Sequence, residues 1–118
     1  MILEEATIGG TVHLEYDEKE MALPEKERVS FDYRALTNRE KIDLLRTMGE
    51  YNIPNAADVC LTAVTRVRNL NSKDGVPLDS ISKVLAYHDK NNNIAYMLTI
   101  VGAKIWMRQS GEEVGLKN

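Results

Sequence analysis

Two kinds of secondary structure meet in the stretch Val29-Ser30-Phe31-Asp32-Tyr33-Arg34-Ala35-Leu36-Thr37-Asn38-Arg39-Glu40. Its first half alternates apolar and polar residues, with Phe31 and Tyr33 on one side, and a period of two is typical of a strand with one buried face. Its second half holds Thr37 and Glu40 at the spacing of a capping box, in which each side chain accepts a hydrogen bond from the backbone N–H of the other residue. The sequence therefore predicts a strand that passes directly into a capped helix.

A second strand is predicted upstream, because Thr11 to Tyr16 alternates in the same way. The run between the two strands, residues 17–28, is rich in charged residues and contains Pro24, as a loop would. The two strands are therefore expected to form an antiparallel hairpin with a long connection. A two-stranded ribbon is marginally stable alone, so later elements must cover its apolar face.

Four segments with helical spacing follow, and each starts at a residue that can cap a helix. Their caps and apolar positions are Thr37 with Ile42, Leu44, Leu45 and Met48; Asn55 with Cys60, Ala63, Val64 and Val67; Asp79 or Ser80 with Ile81, Val84 and Leu85; and Asn91 to Asn93 with Ile94, Met97, Leu98, Val101, Ile105 and Trp106. The sequence thus predicts an α+β fold, helix-rich overall, in which an N-terminal antiparallel β-hairpin is covered by three or four α-helices.

Composition places the chain among ordinary globular proteins, since 43% of its 118 residues are hydrophobic and 28% are charged. That length predicts one domain, with a β-hairpin region over residues 1–36, a helical region over residues 37–109 and a flexible tail over residues 110–118. The formal net charge of -3 disfavours a broad attraction to nucleic-acid phosphate or anionic lipid.

Neither secretion nor a membrane span is predicted. Met1 to Leu3 is followed directly by Glu4 and Glu5, which does not match a secretory signal. The most apolar stretch, Ile94 to Met107, is shorter than the roughly 20 residues of a membrane-spanning helix and contains Lys104. With a single cysteine and no disulfide framework, the chain is expected in the cytoplasm.

Residues that could carry catalysis or bind a metal are few and scattered. His13 falls on the outer face of a predicted strand, and His88 falls near a helix end, where an imidazole usually interacts with the helix dipole. Cys60 lies on a predicted apolar face, where a thiol packs as a small hydrophobic group. No catalytic, cofactor-binding or metal-binding residue is therefore predicted, and the chain is not expected to be an enzyme.

Basic residues provide the one observation in favour of nucleic acid. They would form a patch if the helices aligned them: Arg34, Arg39, Lys41, Arg46, Arg66, Arg68, Lys104 and Arg108. Acidic residues are interleaved with them and no aromatic platform accompanies them, so a nucleic-acid partner is disfavoured.

The last predicted helix is apolar around nearly its whole circumference. A small domain buries part of such a helix, so the remainder is expected to meet another chain, either a partner helix or a second copy. Gly102 and Ala103 would permit close helix approach in the middle of that surface. The predicted partner-binding residues are Met97, Val101, Ile105, Trp106 and Met107.

Three stretches resemble the small tail assembly chaperones of phages, which are encoded just before the tape-measure protein. Residues 29–40 resemble the strand that leads into an R-x-L-T-x-R-E helix start in that family. Val64-Thr65-Arg66-Val67-Arg68-Asn69-Leu70, followed by Lys73-Asp74-Gly75-Val76-Pro77, resembles the V-x-x-V-x-x-L and D-G-x-P segment. The short helix ending at Leu85-Ala86-Tyr87 fits as well, so the likeness extends over residues 29–87.

This resemblance implies a non-enzymatic phage or prophage protein of the bacterial host cytoplasm. Its partner would be the long helical tape-measure protein, kept soluble until the tail tube polymerises round it. A small structural virion component, such as a head-tail or tail-completion protein, remains an alternative and would form a stable ring in isolation. A nucleic-acid-binding regulator would instead lose binding steeply as salt rises.

Overall fold

The computed structural model describes residues 9–48 and 54–109. Within them, three strands form one sheet: β1 (Gly10–His13), β2 (Ser30–Tyr33) and β3 (Val64–Arg68). Their order is β1-β2-β3, so β2 is central and pairs antiparallel with both neighbours. The predicted antiparallel hairpin of β1 and β2 is confirmed, and a third strand extends it.

The third strand corrects the sequence prediction, which placed Val64 and Val67 on a helix. The second predicted helix ends at Ala63, and Val64 already has extended backbone angles, with φ -72° and ψ 124°. The apolar residues from Cys60 to Val67 fit a helical period, but valine and threonine fit the pleated surface of a sheet better. Pairing with β3 also provides hydrogen-bond partners for the backbone groups on the edge of β2 that β1 leaves open. This segment therefore forms a strand and not the end of a helix.

Five α-helices lie within the described residues. They are α1 (Glu18–Met21), α2 (Asn38–Leu45), α3 (Ala56–Ala63), α4 (Ile81–Leu85) and α5 (Asn92–Gln109). The capping box of α2 is formed, with the Glu40 N–H donating to the Thr37 hydroxyl at 3.1 Å and the Thr37 N–H donating to the Glu40 carboxylate at 3.0 Å. The side chains of Asn55, Ser80 and Asn91 accept first-turn N–H bonds in α3, α4 and α5. The four predicted helix starts are therefore confirmed.

The connection between β1 and β2 is more ordered than a charged loop. Asp17 caps α1 by accepting from the N–H groups of Lys19 and Glu20 at 3.0 and 3.1 Å. A single 3-10 turn, Glu25–Glu27, follows. The Arg28 guanidinium then donates to the carbonyl oxygens of Leu23 and Met21, at 2.8 and 2.9 Å, and ties the connection to the start of β2.

One apolar core joins the sheet to the helices. Its fully buried members come from all three strands and from α3, α4 and α5: Val12, Phe31, Val67, Val59, Cys60, Val84, Leu98, Val101 and Ile105. The helix-rich α+β architecture expected from the sequence is thus confirmed. The predicted tail over residues 110–118 lies outside the described residues.

Candidate partner-binding groove

The five predicted partner-binding residues divide into two groups on α5. Met97, Val101 and Ile105 are buried in the core of the chain, so they hold α5 in place and do not reach the surface. Trp106 is partly buried against that core, and Met107 is 44% exposed. The surface open to a partner is therefore the C-terminal part of α5 around Trp106 and Met107.

An apolar groove of about 490 Å³ lies at this part of α5, between α5 and the N-terminal turns of α3. We call it the α3–α5 groove; its apolar lining is Pro54, Ala56, Ala57, Leu98, Gly102, Ala103, Trp106 and Met107. Polar groups contribute from Thr47, Asn55, His88 and Thr99. Sequence reasoning placed Trp106 and Met107 on a partner surface but missed the α3 side, because alanines carry little hydrophobic signal of their own.

Small residues set the distance between the two helices beside the groove. Gly102 of α5 is buried against Ala56 of α3, and a Cβ atom built on Gly102 would lie 2.5 Å from the Ala56 carbonyl oxygen. The close approach predicted for Gly102 at a partner surface therefore takes place inside the chain, between α5 and α3. This packing fixes the floor of the groove, and Trp106 lies one helical turn further along α5.

The C-terminal end of α5 is anchored by two consecutive polar side chains. The Gln109 amide accepts from the Leu36 N–H at 2.9 Å and donates to the Arg34 carbonyl oxygen at 2.7 Å. The Arg108 guanidinium donates to the Thr11 carbonyl oxygen at 3.1 Å. Since these bonds join α5 to β1 and to the segment after β2, the groove residues next to them are held on a rigid support.

A second apolar surface lies on α2, where the sequence predicted an apolar stripe at helical spacing. Within that stripe Leu44 is buried, whereas Ile42 and Leu45 are 48% and 44% exposed. Only part of the predicted apolar stripe of α2 therefore packs on the core. The helix has only eight residues and rests on the core through Leu44, which leaves the adjoining face open.

Three side chains were the candidates for nucleophilic, acid–base or metal chemistry: Cys60, His88 and His13. Burial raises the pKa of the Cys60 thiol to about 12, so this side chain is a packing residue and not a thiolate nucleophile. His88 lines the groove, and its Nδ1 lies 3.1 Å from the Asp89 carboxylate. His13 lies away from the groove, with its Nδ1 3.1 Å from the Ser30 hydroxyl. Among residues 9–48 and 54–109, no group of three or more His, Cys, Asp or Glu is placed to hold a metal ion.

The eight basic residues considered for nucleic acid are distributed over several elements, and five of them form ion pairs with carboxylates. The ion pairs are Arg34 with Glu40, Arg39 and Arg46 with Asp43, Arg68 with Asp32, and Lys104 with Glu15. These neighbours reduce the local positive potential that phosphate contacts require. In the described part of the chain, no helix combines the length and apolar character needed to cross a membrane.

Comparison with known proteins adds no assignment to this geometry. No family model matches the sequence. No curated protein and no solved structure matches it either. The α3–α5 groove and the sequence resemblance are therefore the basis for the function proposed below.

Proposed function

We propose that this protein is a non-enzymatic assembly chaperone that binds an apolar face of a long helical partner. The partner we propose is a tape-measure-like phage protein, and the setting is the cytoplasm of the bacterial host. The observation that carries the proposal is the α3–α5 groove, where Trp106 and Met107 line an apolar surface next to the buried face of α5.

The lining of the groove suits side chains of a helix better than a small polar substrate. Catalytic pockets combine an apolar wall with convergent polar or charged groups that orient the substrate. Here the apolar lining comes from α3, from α5 and from Pro54 just before α3, and the polar groups are mostly uncharged and spread over four separate segments. A helix that inserts apolar residues spaced three and four apart is a common occupant of such grooves.

The two large side chains of the groove have different properties that serve this role. Trp106 is fixed on one side by the core and offers a large flat surface, which is typical of an interface anchor. Met107 is flexible and polarizable, so it can adapt to different side chains along a repetitive partner. A chaperone that covers many similar apolar segments needs this combination of an anchor and an adaptable contact.

The test is co-expression with the protein encoded directly downstream of this chain, which we expect to be long and helical. Met107→Asp places a charge in the groove at a position that is already 44% exposed, so folding should be preserved while binding is lost. We expect the downstream protein to remain soluble with the wild type and to precipitate with this variant. Co-purification of the two chains provides the second readout.

Val76→Asp is the matched control. Val76 is 55% exposed and lies outside the groove, so this variant makes the same exchange of an apolar side chain for a carboxylate elsewhere. It should bind and solubilise like the wild type. Retained binding by Met107→Asp, or the absence of a long helical protein from the downstream reading frame, would contradict the proposal.

A further inference from the structure

The outer face of α2 combines exposed apolar and basic side chains. Arg39, Ile42, Leu45 and Arg46 are spaced by three and four residues, so they share one side of the helix, which we call the basic α2 face. The two arginine side chains are 80% and 72% exposed. Their apolar neighbours Ile42 and Leu45 are also open to solvent. Among the described residues, this face is therefore an exposed amphipathic surface at the start of the helical region.

The charges around α2 give this face a positive sign. Residues 34–46 contain four cationic side chains and two carboxylates. Glu40 forms an ion pair with Arg34. The Arg34 guanidinium donates to both carboxylate oxygens of Glu40, at 2.8 and 2.7 Å. Asp43 lies between Arg39 and Arg46, 3.9 and 3.7 Å from their nitrogen atoms, and offsets one of the two charges. A positive excess is left beside the exposed apolar side chains.

The connection between β1 and β2 carries the opposite net charge. Residues 16–28, which we call the acidic connection, contain five carboxylates and three cationic side chains. Tyr16 and Leu23 are 43% and 37% exposed within it. The segment is held in shape by the Asp17 cap and the Arg28 bonds described above, so it presents a formed surface. Its exposed apolar groups among negative charges complement the basic α2 face.

These two surfaces lie at opposite ends of the central strand. The acidic connection leads into β2 at Ser30, and α2 follows after its other end at Tyr33. We therefore expect a contact between the two surfaces to form between two molecules and not within one. The contact would also be heterologous, because each molecule contributes a different patch and keeps its second patch free for another neighbour.

We propose that the basic α2 face of one copy docks on the acidic connection of a second copy, so that the chain assembles head to tail. Opposite charges orient the two surfaces, and Ile42 and Leu45 pack against Tyr16 and Leu23. Such contacts close into a ring or continue as a filament, depending on the rotation between neighbours. The apolar area is small, so the association is weak, concentration-dependent and sensitive to salt.

Sedimentation velocity of the full chain over a wide concentration range tests this proposal. The weight-average sedimentation coefficient of the wild type should rise with concentration at low salt and return to the monomer value near 1 M NaCl, where the Debye length is about 3 Å. Arg39→Glu/Arg46→Glu and Glu18→Lys/Glu27→Lys should each stay at the monomer value under all conditions. Circular dichroism verifies that both variants are folded.

Matched charge changes elsewhere separate a docking effect from an effect of net charge. Lys73→Glu/Lys90→Glu and Asp74→Lys/Asp89→Lys change the net charge as much as the two docking variants do, at exposed positions outside both surfaces. These controls should associate like the wild type. Loss of association in either control would contradict the proposed contact.

A mixture of the two docking variants gives the most direct test of the proposed contact. The two docking variants have complementary reversed surfaces, so an equimolar mixture should regain the concentration-dependent increase that each lacks alone. A wild type that remains monomeric at every concentration, or a mixture that does not recover, would overturn the proposal. The measurement uses this protein alone, so its result is independent of whether the α3–α5 groove binds a tape-measure-like partner.

Discussion

Gln109 shows how one buried amide fixes the end of a helix. Its side chain satisfies a backbone N–H at Leu36 and a carbonyl oxygen at Arg34, 73 and 75 residues earlier in the chain. A buried backbone group that loses its partner costs about 1–3 kcal/mol. Gln109→Leu should therefore lower the free energy of unfolding by that amount in a urea titration. Thr99→Val, an exposed polar-to-apolar change on the same helix, should leave it nearly unchanged.

Glu40 makes stability depend on pH at the start of α2. Hydrogen bonds from Arg34, and then from the Thr37 backbone, lower the pKa of Glu40 from an ordinary value of 4.5 to about 2. A lowered pKa in the folded state stabilises the protein above the unfolded value, and this contribution is lost as the pH falls from about 4.5 to about 2. Wild type should therefore exceed Glu40→Gln in stability at pH 7 and converge with it near pH 2.

Denaturant titrations at a series of pH values measure this convergence. Glu27→Gln removes an exposed carboxylate from the acidic connection and serves as the control for general loss of charge. A constant difference between wild type and Glu40→Gln down to pH 2 would show that the Arg34–Glu40 pair does not form. The same result would question the capping box, because one carboxylate serves both contacts.

At the scale of elements, helix starts were predictable because their signals are local. Thr37, Asn55 and Asn91 each form the predicted bonds with N–H groups two or three residues away. The identity of β3 depended instead on a distant partner, since Val64 and Val67 become strand residues only when β2 offers a free edge. The α3–α5 groove was also only partly predictable, because it too depends on residues that are distant in the sequence. Its α5 side could be predicted from Trp106 and Met107. Its α3 side could not, because it forms only when α3 packs against α5.

The packing of α3 on α5 depends on the absence of a side chain at Gly102. Gly102→Ala would gain up to about 1 kcal/mol of helix propensity. However, the new Cβ would meet the Ala56 backbone at 2.5 Å, and overpacking of this kind typically costs about 1–3 kcal/mol. We expect a net loss of stability in thermal and urea unfolding. A stabilised Gly102→Ala variant would show that the two helices are further apart than described.

At the scale of the whole molecule, one core should produce one unfolding transition. Val12 and Phe31 of the sheet belong to the same apolar cluster as Val101 and Ile105 of α5, and Trp106 packs against that cluster. The chain contains a single tryptophan, so its fluorescence reports on α5 alone, while far-ultraviolet circular dichroism reports on all helices and strands. Because the sheet cannot keep its buried face covered once α5 leaves, the two signals should change at the same urea concentration. Separate midpoints would mean that the helices and the hairpin unfold independently, and the chain would then behave as two units and not as the single domain that its length predicts.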